Sequence, residues 1–140
     1  MILDIWEEMY NKAKAEYHRE QVSPFIVAHH VVSAVESEDG EIFTGFCIES
    51  ASGVMNLCAE RVAALNMYMS TGKTRIRRLI ACRENPPKNG GMPCGACREF
   101  LMQLDRANGE MEILTDFESR RTVKLKDVFP SWWGEKRYVE

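Results

Sequence analysis

The sequence predicts an α/β fold: a mixed sheet with helices packed on it. Valine-rich and alternating runs that read as strands are separated by longer stretches of helical periodicity. Their order (helix, hairpin, helix, strand, helix, strand) requires helical crossovers between strands of one sheet. The 140 residues, 45 % hydrophobic and 28 % charged, suit one core and leave no room for a second, so residues 1–140 read as one domain.

Residues 3–18 place Ile5, Trp6, Met9, Tyr10, Ala13 and Tyr17 on one side of an amphipathic helix. Pro24 separates it from a valine-rich strand over 31–36. Glu38-Asp39-Gly40 is a hairpin turn, and 42–48 is the returning strand. Residues 50–53 read as loop. Residues 57–69 form a mostly apolar helix that Thr71-Gly72 ends. A strand over 77–83 leads into a loop rich in proline and glycine, 84–91. Pro93 suits the first position of a helix running to about residue 106. Residues 111–115 and 122–125 are short strands, and 130–140 is an aromatic, charged tail.

Composition excludes several functions. No run approaches the roughly 20 apolar residues of a membrane-spanning helix. Asp4, Glu7 and Glu8 near the start, with no basic stretch before an apolar one, predict no secretory leader and a cytoplasmic protein. A net charge of −3 draws no polyanion. The basic run Lys73, Arg75, Arg77, Arg78 has no interleaved aromatics and reads as a solvated face, so no nucleic-acid partner is expected. Five cysteines, an odd number, argue against a disulfide framework. Cys82, in the run Leu79-Ile80-Ala81-Cys82, reads as a small core residue.

The chemistry lies in Cys58-Ala59-Glu60-Arg61 and Pro93-Cys94-Gly95-Ala96-Cys97-Arg98. Cys94 and Cys97 share one face of a helix's first turn, and Cys58 falls at the start of the preceding helix. Helix N-termini stabilise thiolates. A catalytic zinc uses three protein ligands and keeps a position for water, whereas a structural zinc closes with four. Cys47 is the only candidate for a fourth, and it lacks a partner at knuckle spacing. A Cys-x-Glu followed by Pro-Cys-x-x-Cys is the signature of the zinc deaminases, in which the glutamate moves protons and is not a ligand. Here the first ligand is cysteine, so Cys58, Cys94 and Cys97 are the expected Zn²⁺ ligands, one ion per subunit, and Glu60 the catalytic acid–base. Against this stand a salt-bridged helix glutamate and a non-catalytic zinc module.

On these motifs, and on Asp39-Gly40-Glu41-Ile42-Phe43-Thr44-Gly45 and Glu49-Ser50-Ala51-Ser52, residues 29–133 resemble the cytidine deaminase family and its blasticidin S deaminase relatives. The resemblance implies a three-layer αβα sandwich with a mixed five-stranded sheet. It also implies a homotetramer with active sites at subunit interfaces, and hydrolytic deamination of cytidine or deoxycytidine in pyrimidine salvage. Arg61 would offset the charge of the ligand sulfurs, with Arg98 a weaker candidate. The Ala59 backbone would bond the base edge.

Glu49 resembles the family's ribose-binding glutamate; on its own it reads equally as a surface residue at a strand end. The family carries Asn where this chain has Cys47 and Ser50, so sugar recognition is expected to be altered. This leaves blasticidin S or another modified cytosine nucleoside as the alternative substrate. His29 either flanks the base or is satisfied by backbone, and His30 reads as a backbone-satisfied strand residue. Trp132 and Trp133 read as packing or as a lid over a neighbour's pocket.

Overall fold

A computed structural model describes residues 4–83 and 91–138. The expected loop at 84–91 lies almost wholly outside them.

Helix α1, Ile5–Lys14, is capped by Asp4, whose side chain accepts the Glu7 N–H. The expected helix stops short of Tyr17, because the chain turns into a two-residue strand β1, Glu20–Gln21. Strand β2, Ile26–Ser37, pairs antiparallel with β3, Ile42–Ser50, across the Gly40 turn, where φ is 86°. Helix α2 spans Ala59–Thr71 and ends at Gly72 in the left-handed region. Strand β4 is Ile76–Cys82 and helix α3 is Gly95–Leu104. Strands β5, Glu112–Asp116, and β6, Arg121–Lys124, follow. The tail carries a four-residue helix α4, Glu135–Tyr138.

The strands run in the order β3-β2-β4-β5-β6, with β1 on the start of β2. The β4–β5 pair is parallel and the other ladders are antiparallel, so the sheet is mixed, with six strands where five were expected. The extra strand is β1, too short to leave a periodic signal.

Alternation along the central strands sorts the core into two layers. Val32, Ala34, Ile80, Cys82 and Leu114 face Trp6, Met9, Tyr10 and Ala13 of α1. Val35, Leu79 and Ile113 face Ala63, Ala64 and Met67 of α2 and Leu101 and Met102 of α3. This is the expected αβα sandwich, with Cys82 in its core. Each fully buried large side chain contributes about 1.5–3 kcal/mol.

Two features set the position of the site. Helix α2 lies hard against β3 at Gly45, where a Cβ would stand 2.3 Å from the Ala63 nitrogen and 2.6 Å from the Ala59 oxygen. Strand β2 is irregular between Ala28 and Val32, and His29 sits there at φ 65°. The irregularity sends consecutive side chains to places that strict alternation would not.

Candidate active site

Cys58 and Cys94 are the N-cap residues of α2 and α3, and both have extended backbone. Both helices therefore begin one residue after a cysteine and aim their N-termini at the same point. Cys97 lies in the first turn of α3 and is buried. The Cys58 and Cys94 sulfurs are 3.6 Å apart, and those of Cys94 and Cys97 are 3.7 Å apart. All three lie within 4.8 Å of one another. Zinc–sulfur bonds of about 2.3 Å at tetrahedral angles put sulfurs close to these separations, so the donor set fits one zinc ion with a position left open.

The three thiols have unequal environments. Burial raises Cys94, but hydrogen bonds from the Cys97 and Ala96 backbone and from the other thiols more than offset it and hold its pKa below the ordinary value. Cys97 is pushed up by burial first, then by the charges of Glu60, Cys58 and Cys94. A cation beside the cluster relieves this repulsion. Arg61 stands there, with Nη2 donating to the Asn56 carbonyl at 3.3 Å and lying 3.6 Å from the Cys58 sulfur. Its Nε is buried without a hydrogen-bond partner among the described residues. Arg98 is not part of the cluster. Its Nε donates to the Pro93 carbonyl at 2.9 Å and its Nη1 to the Val128 carbonyl at 3.0 Å, tying the start of α3 to the C-terminal segment.

A cavity of about 580 Å³ opens beside the thiols, lined among others by Glu60, Cys58, Cys94, Ala59, Glu49 and Cys47. Glu60 is only 5 % exposed. Burial pushes its carboxyl above the usual carboxylate range, against the pull of Arg83 and Arg61. Glu49, at the end of β3, reaches the His30 Nε2 at 2.8 Å. The Cys47 sulfur accepts the Val31 N–H at 3.3 Å and lies 3.3 Å from the His30 Nδ1. Burial holds the Cys47 thiol above its ordinary pKa.

The cavity takes His30, not His29. The irregular stretch of β2 turns His29 away, between the rings of His18 and Phe46 at 3.8 and 3.7 Å. Arg83, Asn56 and Leu57 also line the cavity, and none carried a sequence signal. The one available hint for Arg83 is that it follows the last residue of β4, since open α/β sheets bind ligands beyond strand carboxyl ends. Trp132 and Trp133 stand away from this cavity. Both indoles donate to Glu99, at 2.9 and 2.7 Å, and line a separate cavity of about 350 Å³.

The sequence model of the cytidine and deoxycytidylate deaminase zinc-binding region matches residues 5–109. This chain belongs to that family. A cytidine deaminase of Mycobacterium tuberculosis (strain ATCC 25618 / H37Rv) is 34 % identical over 106 residues, 74 % of this chain and 72 % of that protein. The blasticidin-S deaminase of Bacillus cereus is 31 % identical over 81 residues, 52 % of this chain and 56 % of that protein. The crystal structure of cytidine deaminase from Mycobacterium tuberculosis superposes with a TM-score of 0.73 at 26 % identity, covering 95 % of this chain and 99 % of that one. The protein is thus a zinc-dependent hydrolytic deaminase, and Cys58, Cys94 and Cys97 form a group that could hold its metal ion.

Proposed function

We propose that this deaminase converts cytidine and deoxycytidine to the uridine forms, releasing ammonia. The observation that carries the reading is the buried Glu60 carboxyl, two residues from Cys58, at a cavity large enough for a nucleoside. When bound, zinc supplies a Lewis acid that makes water nucleophilic near neutral pH.

The chain's own groups do the rest. Glu60 takes a proton from the attacking water and gives it to the ring N3, then takes the proton of the added hydroxyl as C4 becomes a carbonyl and passes it to the amine, which leaves as ammonia. Its raised affinity for a proton suits a group that must accept and then return one. The Ala59 backbone meets the base edge, and Arg61 balances the sulfur charge. Glu49 accepts hydroxyl hydrogen bonds from the sugar through the oxygen that His30 leaves free.

A second reading, deamination of blasticidin S or another modified cytosine nucleoside, draws support from Cys47. A buried thiol held by the Val31 N–H offers the sugar no amide donor–acceptor pair.

The single-domain reading of residues 1–140 is supported by one continuous sheet between the two core layers. A homotetramer closing the site at subunit interfaces is supported by Phe25, Val54 and Met55, exposed apolar residues near the end of β3 and before α2. Among the described residues no helix is long and apolar enough to cross a membrane. A cytoplasmic salvage role accords with the free thiols, which suit a reducing compartment.

The deciding experiment measures ammonia release from cytidine, deoxycytidine and blasticidin S, with and without a chelator. Chelator-sensitive turnover of the first two is expected. Glu60→Gln should keep its zinc and lose roughly 10²–10⁴-fold in turnover. Near-normal turnover by that variant removes Glu60 from the mechanism, and turnover of blasticidin S alone establishes the second reading.

A further inference from the structure

Apart from the three thiols, His18, Glu20 and His29 bring two imidazole nitrogens and a carboxylate oxygen within 4.8 Å of one another. Two adjacent backbone runs build the group. The His18 N–H donates to the His29 carbonyl at 3.2 Å, and Glu20 pairs with Ala28 in the β1–β2 ladder. His18 and Glu20 are two residues apart, so an extended run directs both to one face. His29 stands opposite, its ring stacked on His18 at 27° between planes, with Phe46 behind it.

The His29 ring is held in the tautomer that a ligand needs, and the exposed His18 ring turns out of its stack on His29 for both lone pairs to meet one ion. The His29 Nδ1 lies 2.7 Å from the Glu16 carbonyl oxygen. A carbonyl only accepts, so Nδ1 carries the proton and the neutral ring leaves its Nε2 lone pair free. Metal-ligating histidines are commonly held in this way, by a backbone carbonyl on the second nitrogen. The His18 and Glu20 side chains are 60 % and 54 % exposed, so an ion from solvent reaches them without opening the fold. None of the three residues lines the catalytic cavity.

We propose that His18, Glu20 and His29 form a second divalent-metal site, distinct from the thiol site, that takes a transition metal such as Zn²⁺, Ni²⁺ or Cu²⁺. Two imidazoles and one carboxylate select such ions over Mg²⁺ and Ca²⁺, which take oxygen donors. The open solvent side lets water complete the coordination, so this ion exchanges freely while the thiol-bound one is retained.

The chain has only three histidines, and the third, His30, is engaged by Glu49 and Cys47 in the cavity. Removing His18 is therefore diagnostic. The test is dialysis of the full-length, zinc-loaded enzyme against rising free Zn²⁺, with zinc per chain read by atomic absorption. The wild type should reach two ions per chain. His18→Ala and Glu20→Ala, both exposed changes outside the catalytic machinery, should keep the first ion and full cytidine turnover. They should bind the second at least roughly tenfold more weakly. Saturation of the wild type at one ion overturns the proposal. So does retention of the second ion by both variants, or its loss in Cys47→Ser, which would move it to the catalytic cavity.

Discussion

Gly45→Ala is expected to destabilise the protein and loosen its metal site together. The added Cβ would lie 2.3 Å from the Ala63 nitrogen, 2.6 Å from the Ala59 oxygen and 2.9 Å from the Ala63 Cα. All three are backbone atoms and cannot rotate aside. Ordinary contact begins near 3.4 Å, so α2 must retreat from β3 by about 1 Å. Overpacking of this kind costs about 1–3 kcal/mol, and the rigid neighbours place this case at about 3 kcal/mol. With an unfolding entropy near 2 cal/mol/K per residue, that lowers Tm by about 10 °C for this chain. Ala59 lies between Cys58 and Glu60, so the displacement carries the proposed ligand and the proposed acid–base with it, and zinc affinity falls too. Gly53→Ala is the control, since its Cβ meets nothing within 4 Å. Thermal melts and zinc titrations at one protein concentration check both. A Gly45→Ala protein melting within about 2 °C of wild type, with unchanged zinc affinity, would refute the packing argument.

Three further outcomes are expected. Arg61→Ala should weaken zinc binding about 10–100-fold while the fold persists, measured by competition with a chromophoric chelator, because the ligand sulfurs lose their neighbouring cation. Cys82, whose thiol burial pushes up to about 12, should resist maleimide at pH 8 in the folded protein and react once urea unfolds it. Since its folded pKa is raised, its contribution to stability is complete below about pH 8.5 and is lost as pH rises toward 12. Glu110, held down to about 2 by Lys126 and then Lys124, has the opposite sign. Its contribution is present above about pH 4.3 and is lost as pH falls toward 2. Urea midpoints of Glu110→Gln should therefore depend less on acid pH than those of wild type, and salt should shrink the difference.

The gathering of Cys58, Glu60, Cys94 and Cys97 was legible in the sequence because each is placed by a local rule. Cys58 and Glu60 sit at one helix start, Cys94 and Cys97 at another, and a few residues of spacing decide their geometry. Glu49 was legible as a residue at a strand end, and it lies there, next to the last residue of β3. The histidines were not. Alternation along β2 would separate the faces of His29 and His30, but the irregularity at Ala28–Val32 resets the pattern, and backbone hydrogen bonding to distant strands creates it. Arg83 was hidden because its place depends on how β4 sits beside β2, a long-range pairing. The attachment of Trp132 and Trp133 to Glu99 spans more than thirty residues and left no periodic trace.

Cys58 and Cys94 stand at the N-cap positions of α2 and α3, and the Cys58 side chain hydrogen-bonds no backbone N–H of its helix. A serine or aspartate cap would accept one and secure the first turn by itself. One ion held by all three sulfurs would tie the two helix starts together and steady the first turn of α2. Metal occupancy is then written into the exchange of individual amides. Stripping zinc should speed hydrogen–deuterium exchange at residues 60–62 and 96–98 and leave β2 and β4 protected. An ion held by Cys58, Cys94 and Cys97 would serve as a fastener for the two helices that present it.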